Sequence, residues 1–168
     1  MKIFLIGFMG CGKSTLGRKL ATKLGYDLID LDHQIELLTG GSVADYFAVN
    51  GEEVFRKLES DTLKGFDYPK NCVIATGGGT PCYFDNMDWM NENGTSIYIE
   101  MSALALAKRL EKGIAKRPLL SSLSEDSLVH FIENKLKERE GFYSRATFTL
   151  SGVNLTADII RAELLARD

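Results

Sequence analysis

The sequence predicts an α/β protein in which a parallel sheet of five strands is covered by helices on both faces. Short apolar runs alternate with helical patterns along the chain, and strands separated by helices form βαβ units with parallel strands. The length of 168 residues suits one domain with a substantial core. We therefore expect a single three-layer domain over residues 1–168.

The predicted strands are four short apolar runs and a weaker fifth run near the C-terminus. They cover residues 2–6, 26–30, 72–75, 96–100 and 148–150. Helical patterns lie between and after them, at residues 13–24, 32–65 with breaks at Gly40-Gly41 and Gly51, 85–91, 103–111, 126–140 and 157–166. Ser42 is expected to cap the helix after the first break, because Asp45 occupies the acidic position of a capping box.

One long stretch, residues 112–125, has no regular pattern. It contains Gly113, Pro118 and several serines. A loop of this length inside a compact domain is usually a lid or a binding loop. We therefore expect a mobile lid there.

The composition argues against several classes of protein. A net charge of −3 disfavours nucleic-acid binding, and no apolar run approaches the roughly 20 residues of a membrane span. The apolar run 3–6 is too short for the core of a signal peptide. Cys11, Cys72 and Cys82 form no C-x-x-C pair and are odd in number, which disfavours a zinc site or a disulfide framework. We expect a cytoplasmic protein.

The strongest motif runs from Gly7 to Ser14. The string GFMGCGKS fits G-x-x-x-x-G-K-[ST], follows a predicted strand and opens a predicted helix. Its glycines allow successive N–H groups to point at phosphate oxygens, and the helix adds the positive end of its dipole. The sequence thus predicts a site for a nucleoside triphosphate, most simply ATP with Mg²⁺, lined by Gly10, Cys11, Gly12, Lys13, Ser14 and Thr15.

Three residues of this phosphate loop, Gly7 to Thr15, carry separate expectations. Lys13 should contact the β- and γ-phosphates, and the Ser14 hydroxyl should ligate Mg²⁺. Cys11 lies near a helix N-terminus, where the pKa of a thiol tends to fall, so a redox-sensitive thiol is one interpretation. A small residue tolerated at a variable position is the simpler interpretation.

The remaining motifs narrow the class of protein. A GTPase needs N-K-x-D and D-x-x-G, but Asn134-Lys135-Leu136-Lys137 lacks the Asp and no D-x-x-G string occurs. The chain is also short for a motor or transporter ATPase. Among the classes of P-loop protein, this leaves a kinase that acts on a small molecule or a nucleotide.

Two carboxylates follow the second predicted strand. Strand alternation would place Asp30 and Asp32 on one side, at the carboxyl edge where open α/β sheets bind ligands. One carboxylate could hold a Mg²⁺-bound water while the other accepts a proton from a substrate hydroxyl. An exposed acidic strand end is the alternative.

The third predicted strand is followed by Thr76-Gly77-Gly78-Gly79-Thr80. Three consecutive glycines let the backbone approach a ligand closely. A plain turn between strand and helix is the alternative interpretation.

Together these motifs resemble the shikimate kinase family. The set comprises the phosphate loop, the Asp30/Asp32 pair, GEEVFR at residues 51–56, the triple glycine and KRPLL at residues 116–120, in this order and over the chain to about Arg145. The resemblance implies a P-loop kinase fold with five parallel strands, a substrate-binding subdomain at about residues 32–60, and a lid. It also implies transfer of the ATP γ-phosphoryl group to the 3-hydroxyl of shikimate, for aromatic amino-acid biosynthesis, by a monomer.

The resemblance also assigns expected roles to individual residues. Asp32 would bind the shikimate hydroxyls and act as general base, and Asp30 would support Mg²⁺ through water. Gly78 and Gly79 would contact the ring of the substrate through their backbone. The cationic residues would bind the shikimate carboxylate (Arg56 and Arg139), stack on adenine (Arg109) and reach the transferring phosphoryl group from the lid (Arg117).

The local sequence supports these roles unevenly. Arg139 continues an apolar helical stripe through Leu128, Ile132 and Leu136, and an inward-facing Arg needs an anionic partner. Arg56 has Glu52 at i−4 and Glu59 at i+3, so a solvated ion pair on a helix surface would also explain it. Arg117 belongs to a run of cations that could be a solvated face.

One departure from the family pattern concerns the end of this helix. Many members have Pro-Leu-Tyr after the Arg matched to Arg139, whereas this chain has Glu140-Gly141-Phe142-Tyr143. Gly141 loosens the predicted helix end, so Arg145 is the alternative second ligand for the carboxylate. The adenine loop at residues 153–156 is poorly specified, and His33 and His130 are interpreted as bystanders.

Two other functions are compatible with the phosphate loop itself. One is a related small P-loop kinase that acts on gluconate or a nucleoside monophosphate. The other is a regulatory module that binds ATP without turnover.

Overall fold

The computed structural model describes residues 1–112 and 124–166. These residues form five parallel strands in the order β2-β3-β1-β4-β5. The strands are β1 Lys2–Ile6, β2 Asp27–Asp30, β3 Cys72–Ala75, β4 Thr95–Glu100 and β5 Phe148–Ser151. The predicted α/β class and the five-stranded parallel sheet are confirmed, with strand bounds within one residue of those expected.

Eight α-helices and one short 3₁₀-helix occur among the described residues. They are α1 Lys13–Leu24, α2 Leu31–Thr39, α3 Val43–Asn50, α4 Glu52–Gly65, the 3₁₀-helix Thr80–Cys82, α5 Asn86–Asn93, α6 Ala103–Glu111, α7 Glu125–Tyr143 and α8 Ala157–Leu165. The breaks at Gly40-Gly41 and Gly51 are confirmed. Ser42 caps α3 as predicted, because its hydroxyl accepts the backbone N–H of Asp45 at 3.1 Å. The 3₁₀-helix was not predicted.

The centre of the sheet is buried on both faces. Residues 3–6 of β1 are completely buried, as expected for a parallel strand covered by helices on both sides. Ile3 and Leu5 point into one apolar cluster, formed with α1, α6, α7 and α8, while Phe4 and Ile6 point into a second, formed with α2, α4 and α5. This alternation confirms the three-layer arrangement.

The ends of two elements differ from expectation. Strand β2 ends at Asp30, and α2 begins at Leu31, so the predicted alternation through Asp32 is wrong. Helix α7 continues through Gly141 to Tyr143, three residues beyond the predicted end. The greater part of the predicted lid, including Arg117, lies outside the described residues. Within the part of the chain that is described, no helix is both long and apolar enough to span a membrane.

Candidate active site

The phosphate loop joins the end of β1 to the start of α1. Gly7, Gly10 and Gly12 have φ angles of 148°, 82° and 100°, which residues with a β-carbon rarely adopt. A β-carbon at Gly7 would also lie 2.9 Å from the carbonyl oxygen of Ile99, so the loop has no room for one there. The loop thus has the backbone that the motif predicted, with Ser14 exposed at the start of α1.

Lys13 is buried within this loop. Its Nζ donates hydrogen bonds to the carbonyl oxygens of Gly7 at 2.6 Å and Phe8 at 3.0 Å. Burial lowers the pKa of Lys13, although the neighbouring Cys11 and Asp32 favour its charged form. The ammonium group is therefore fixed against the loop.

Cys11 packs in the same place. It is 1% exposed, and its Sγ lies 3.7 Å from the Nζ of Lys13. Such burial fits a packed small residue better than an accessible redox thiol.

Ser14 and Asp30 bring two oxygen ligands together. The Ser14 hydroxyl donates to Oδ2 of Asp30 at 3.3 Å, while Oδ1 of Asp30 accepts the backbone N–H of His33 and caps α2. Mg²⁺ prefers hydroxyl, carboxylate and water oxygens, so this pair fits the expected metal.

Asp32 lies in the first turn of α2 and not on the strand. It nevertheless faces the end of β3, because a β-carbon at Gly77 would lie 3.4 Å from its Oδ1. Burial raises the pKa of Asp32 to about 6, with the charges of Glu59 and Asp30 acting in the same direction and Lys13 opposing them. The carboxyl group therefore has the raised pKa of a candidate general base.

Glu59 belongs to this site and was not predicted as a site residue. It is 1% exposed on α4, where Oε2 accepts the hydroxyl of Thr80 at 2.8 Å and Oε1 accepts Nη1 of Arg56 at 3.0 Å. Its spacing of three residues from Arg56 was a visible signal, but that spacing is also typical of a surface ion pair.

Arg56 is mostly buried, so the interpretation as a solvated ion pair is wrong. Its side chain is 12% exposed and pairs with Glu59 at 3.0 Å and Glu52 at 3.5 Å. The guanidinium carbon lies 4.3 Å from the centre of the Tyr83 ring. A β-carbon at Gly79 would lie 2.6 Å from both terminal nitrogens of Arg56, so the guanidinium contacts the triple glycine.

Arg139 approaches the same turn from α7. Its Nη1 is buried and has no hydrogen-bond partner among residues 1–112 and 124–166. A β-carbon at Gly78 would lie 3.1 Å from that nitrogen, and the guanidinium carbon lies 5.3 Å from the centre of the Phe8 ring. The apolar stripe thus correctly predicted that Arg139 faces inward.

Arg145, Arg109 and the two histidines lie at different places relative to the glycine turn. Arg145 pairs with Asp88 on the surface, whereas Arg139 lies against Gly78 of the glycine turn. Arg109 donates to the carbonyl oxygen of Gly10 at 3.3 Å and therefore lies beside the phosphate loop. His33 and His130 are exposed.

A phosphate loop, a buried carboxylate and two arginines at a glycine turn define the site of a P-loop kinase with an anionic acceptor. The family model described as shikimate kinase matches residues 9–167. A shikimate kinase of Parabacteroides distasonis is 41% identical over 157 residues, which cover 94% of this chain and 91% of that protein. The chain belongs to the shikimate kinase family.

Solved structures agree with this assignment. The crystal structure of shikimate kinase from Bacteroides thetaiotaomicron aligns with a TM-score of 0.91 and 37% identity, covering all of this chain and 99% of that one. Shikimate kinase from Acinetobacter baumannii in complex with shikimate aligns with a TM-score of 0.84 and 31% identity, covering 98% of this chain and 90% of that one. A gluconokinase from Sinorhizobium meliloti is only 20% identical, with a TM-score of 0.55, and shares the fold alone.

Proposed function

We propose that this chain transfers the γ-phosphoryl group of ATP to the 3-hydroxyl of shikimate, giving shikimate 3-phosphate and ADP for aromatic amino-acid biosynthesis. The observation that carries the proposal is the convergence of Arg56 and Arg139 on the adjacent glycines Gly79 and Gly78. Arg56 is already paired with Glu59, but Nη1 of Arg139 has no hydrogen-bond partner among the described residues, and the carboxylate of shikimate would supply an anionic one.

The donor half of the site is the phosphate loop. Backbone N–H groups of residues 10–15 bind the phosphates of ATP, with Lys13 on the β- and γ-phosphates and Arg109 beside the loop for the adenine. Ser14 would hold Mg²⁺ directly and Asp30 would hold it through water, and the metal would neutralise charge on the phosphates.

The acceptor half faces it across the carboxyl edge of the sheet. Arg56 and Arg139 hold the carboxylate, and the backbone of Gly78 and Gly79 contacts the ring. This arrangement orients the 3-hydroxyl towards the phosphate loop, and orientation supplies much of the rate in phosphoryl transfer.

Asp32 accepts the proton of the attacking hydroxyl. With a pKa of about 6 it is mostly ionised at neutral pH, yet basic enough to take a proton as the bond to phosphorus forms. Lys13, next to Asp32, stabilises the negative charge on the phosphoryl group. Arg117, in the proposed lid at about residues 112–125, adds a second cation to that group and helps to exclude water.

The proposal also covers the domain organisation, the oligomeric state and the cellular compartment. Helices α2 to α4 form the substrate-binding subdomain, at about residues 32–60, within a single domain. The enzyme acts as a monomer in the cytoplasm without a nucleic-acid or membrane partner; the free thiols of Cys11, Cys72 and Cys82 support a reducing compartment.

An ADP-release assay with three acceptors tests the function. Shikimate should support turnover, whereas gluconate and AMP should not. Turnover with AMP or gluconate but not shikimate would make the chain a different P-loop kinase. ATP binding without turnover of any acceptor would make it a regulatory module.

A further inference from the structure

Tyr143 connects the end of α7 to the glycine turn. It is 1% exposed, and its hydroxyl donates to the carbonyl oxygen of Gly78 at 2.5 Å. Its ring packs on Tyr98 with a centroid separation of 4.8 Å. Burial raises the pKa of Tyr143, so the hydroxyl stays protonated and remains a donor.

This connection lies where the helix is intrinsically weak. Gly141 is exposed, and a β-carbon there would meet nothing within 4 Å, so no packing holds this position. Glycine is among the poorest helix formers because it loses the most backbone freedom. The helix nevertheless continues to Tyr143, where tertiary contacts replace the missing local preference.

Arg139 depends on the same helical turn. Tyr143 follows it by four residues and therefore lies on the same face of α7. Nη1 of Arg139 lacks a hydrogen bond of its own among the described residues. The guanidinium group packs on Phe8 and interacts with the Tyr143 side chain, so its position depends on this helical turn.

We infer that Tyr143 is a positioning residue that fixes Gly78 and Arg139 relative to each other, so that the turn and the guanidinium group present one preformed surface to the anionic acceptor. The inference rests on the proposed function. Tyr143 does not touch the acceptor in this scheme. It acts through the orientation of the Gly78 peptide and through the placement of the last turn of α7.

Tyr143→Phe tests the inference because it removes the hydroxyl and keeps the ring packed on Tyr98. We expect the KM for shikimate to rise about five- to tenfold, as for the loss of one buried hydrogen bond, with the KM for ATP changed less than about twofold. Tyr98→Phe is the matched control and should leave both constants unchanged. An unchanged KM for shikimate in Tyr143→Phe, or an equal rise in both constants, would overturn the inference.

Two further measurements separate positioning from folding. Amide exchange at residues 77–80 without ligands should be faster in Tyr143→Phe and unaltered in Tyr98→Phe. Adding Gly141→Ala to Tyr143→Phe should restore part of the affinity for shikimate, because alanine stiffens the same turn. Unaltered exchange in Tyr143→Phe would contradict the inference whatever the acceptor is. Failure of the proposed function would appear instead in the wild-type enzyme, as absent turnover of shikimate.

Discussion

At the scale of one residue, the role proposed for Asp32 as a base has a cost in stability. A carboxyl group near Glu59 and Asp30 and away from water is harder to ionise, and its pKa of about 6 records that cost. In the folded protein Asp32 therefore binds a proton over a pH range where the unfolded chain has already released it. Linkage then requires that the contribution of Asp32 to stability falls as pH rises from about 4 to about 6.

Asp32→Asn should separate these two effects. At pH 8 we expect turnover to fall by about 10³-fold or more with ATP affinity nearly unchanged, because the base is lost and the phosphate loop is intact. The free energy of unfolding should rise by about 1–3 kcal/mol at pH 8, and this gain should vanish below about pH 3, where Asp32 is neutral in both states. Calorimetry and urea denaturation at the two pH values measure this change in the free energy of unfolding. Asp67→Asn, at an exposed loop position, is the control. Equal loss of turnover and ATP binding would instead assign Asp32 to the nucleotide.

The pH dependence of the reaction should follow the same group. We expect kcat/KM for shikimate to rise with pH around an apparent pKa of about 6, because only ionised Asp32 accepts the proton. Glu59→Gln should move this midpoint down by roughly half a pH unit or more, since a negative charge that raises the pKa of Asp32 is removed. Glu53→Gln, at an exposed position of α4, should leave it in place. A midpoint that does not move in Glu59→Gln would show that the two carboxylates are uncoupled in the working enzyme.

At the scale of elements, local rules predicted most of the fold. Glycines mark the breaks after α1 and α2, where Gly25 and Gly40 have φ angles of 67° and 75°. The side-chain cap at Ser42 likewise depends on neighbours in sequence. Such features are readable from the chain because their physical causes lie within a few residues.

Features that depend on tertiary contacts were not readable in this way. The spacing of Glu59 and Arg56 looks the same whether α4 faces water or packs over the 3₁₀-helix, and only packing shows that the pair is buried. The end of α7 was predicted too early because Gly141 weakens the helix locally, whereas Tyr143 is held by Gly78 across the structure. Asp32 lies at the carboxyl edge of the sheet, as predicted, although β2 ends before it. The reason is that α2 starts at the same edge.

The turn between β3 and the 3₁₀-helix provides a prediction at this scale. Gly79 has a φ angle of −89°, so alanine is allowed by the backbone, but its β-carbon would lie 2.6 Å from the guanidinium nitrogens of Arg56. The flexible Arg56 should move aside. Gly79→Ala should therefore raise the KM for shikimate by about tenfold or more, with the KM for ATP unchanged and Tm within about 3 °C of wild type.

Gly65→Ala is the matched control for this change, because a β-carbon at that helix end meets no atom within 4 Å. Steady-state kinetics with each substrate varied in turn, together with a thermal scan, decide the outcome. If Gly79→Ala bound shikimate normally, the contact of Arg56 with the glycine turn would have no role in acceptor binding.

At the scale of the whole molecule, the sheet aligns the two halves of the site. Leu5 of β1 and Asp30 of β2 both lie opposite Ala75 of β3, so the three strands end at one level. The donor loop leaves β1, the carboxylates follow β2 and the glycine turn follows β3. Ligand binding at the carboxyl ends of parallel strands is thus built in by register, as in other open α/β sheets.

The height of the phosphate loop above this edge depends on how closely α1 packs on the sheet. A β-carbon at Gly17 would lie 3.3 Å from side-chain carbons of Leu5 and Leu28, so α1 already packs as near as a glycine permits. Lys13 and Ser14 begin the same helix. Any outward displacement of α1 therefore moves the residues that we propose bind phosphate.

Gly17→Val should test this coupling between core packing and nucleotide binding. The added carbons force α1 away from β1, at a cost of about 1–3 kcal/mol in the free energy of unfolding. ATP affinity should fall by about tenfold, because Lys13 and the loop N–H groups shift relative to the phosphates. Lys19→Val, at an exposed position of the same helix, controls for the presence of a β-branched valine in α1 and should change both quantities little. Urea denaturation and titration calorimetry with ATP measure the two effects. Loss of stability with ATP affinity retained would show that the loop adjusts independently of the helix, and the geometry of the donor half would then be set by the loop alone.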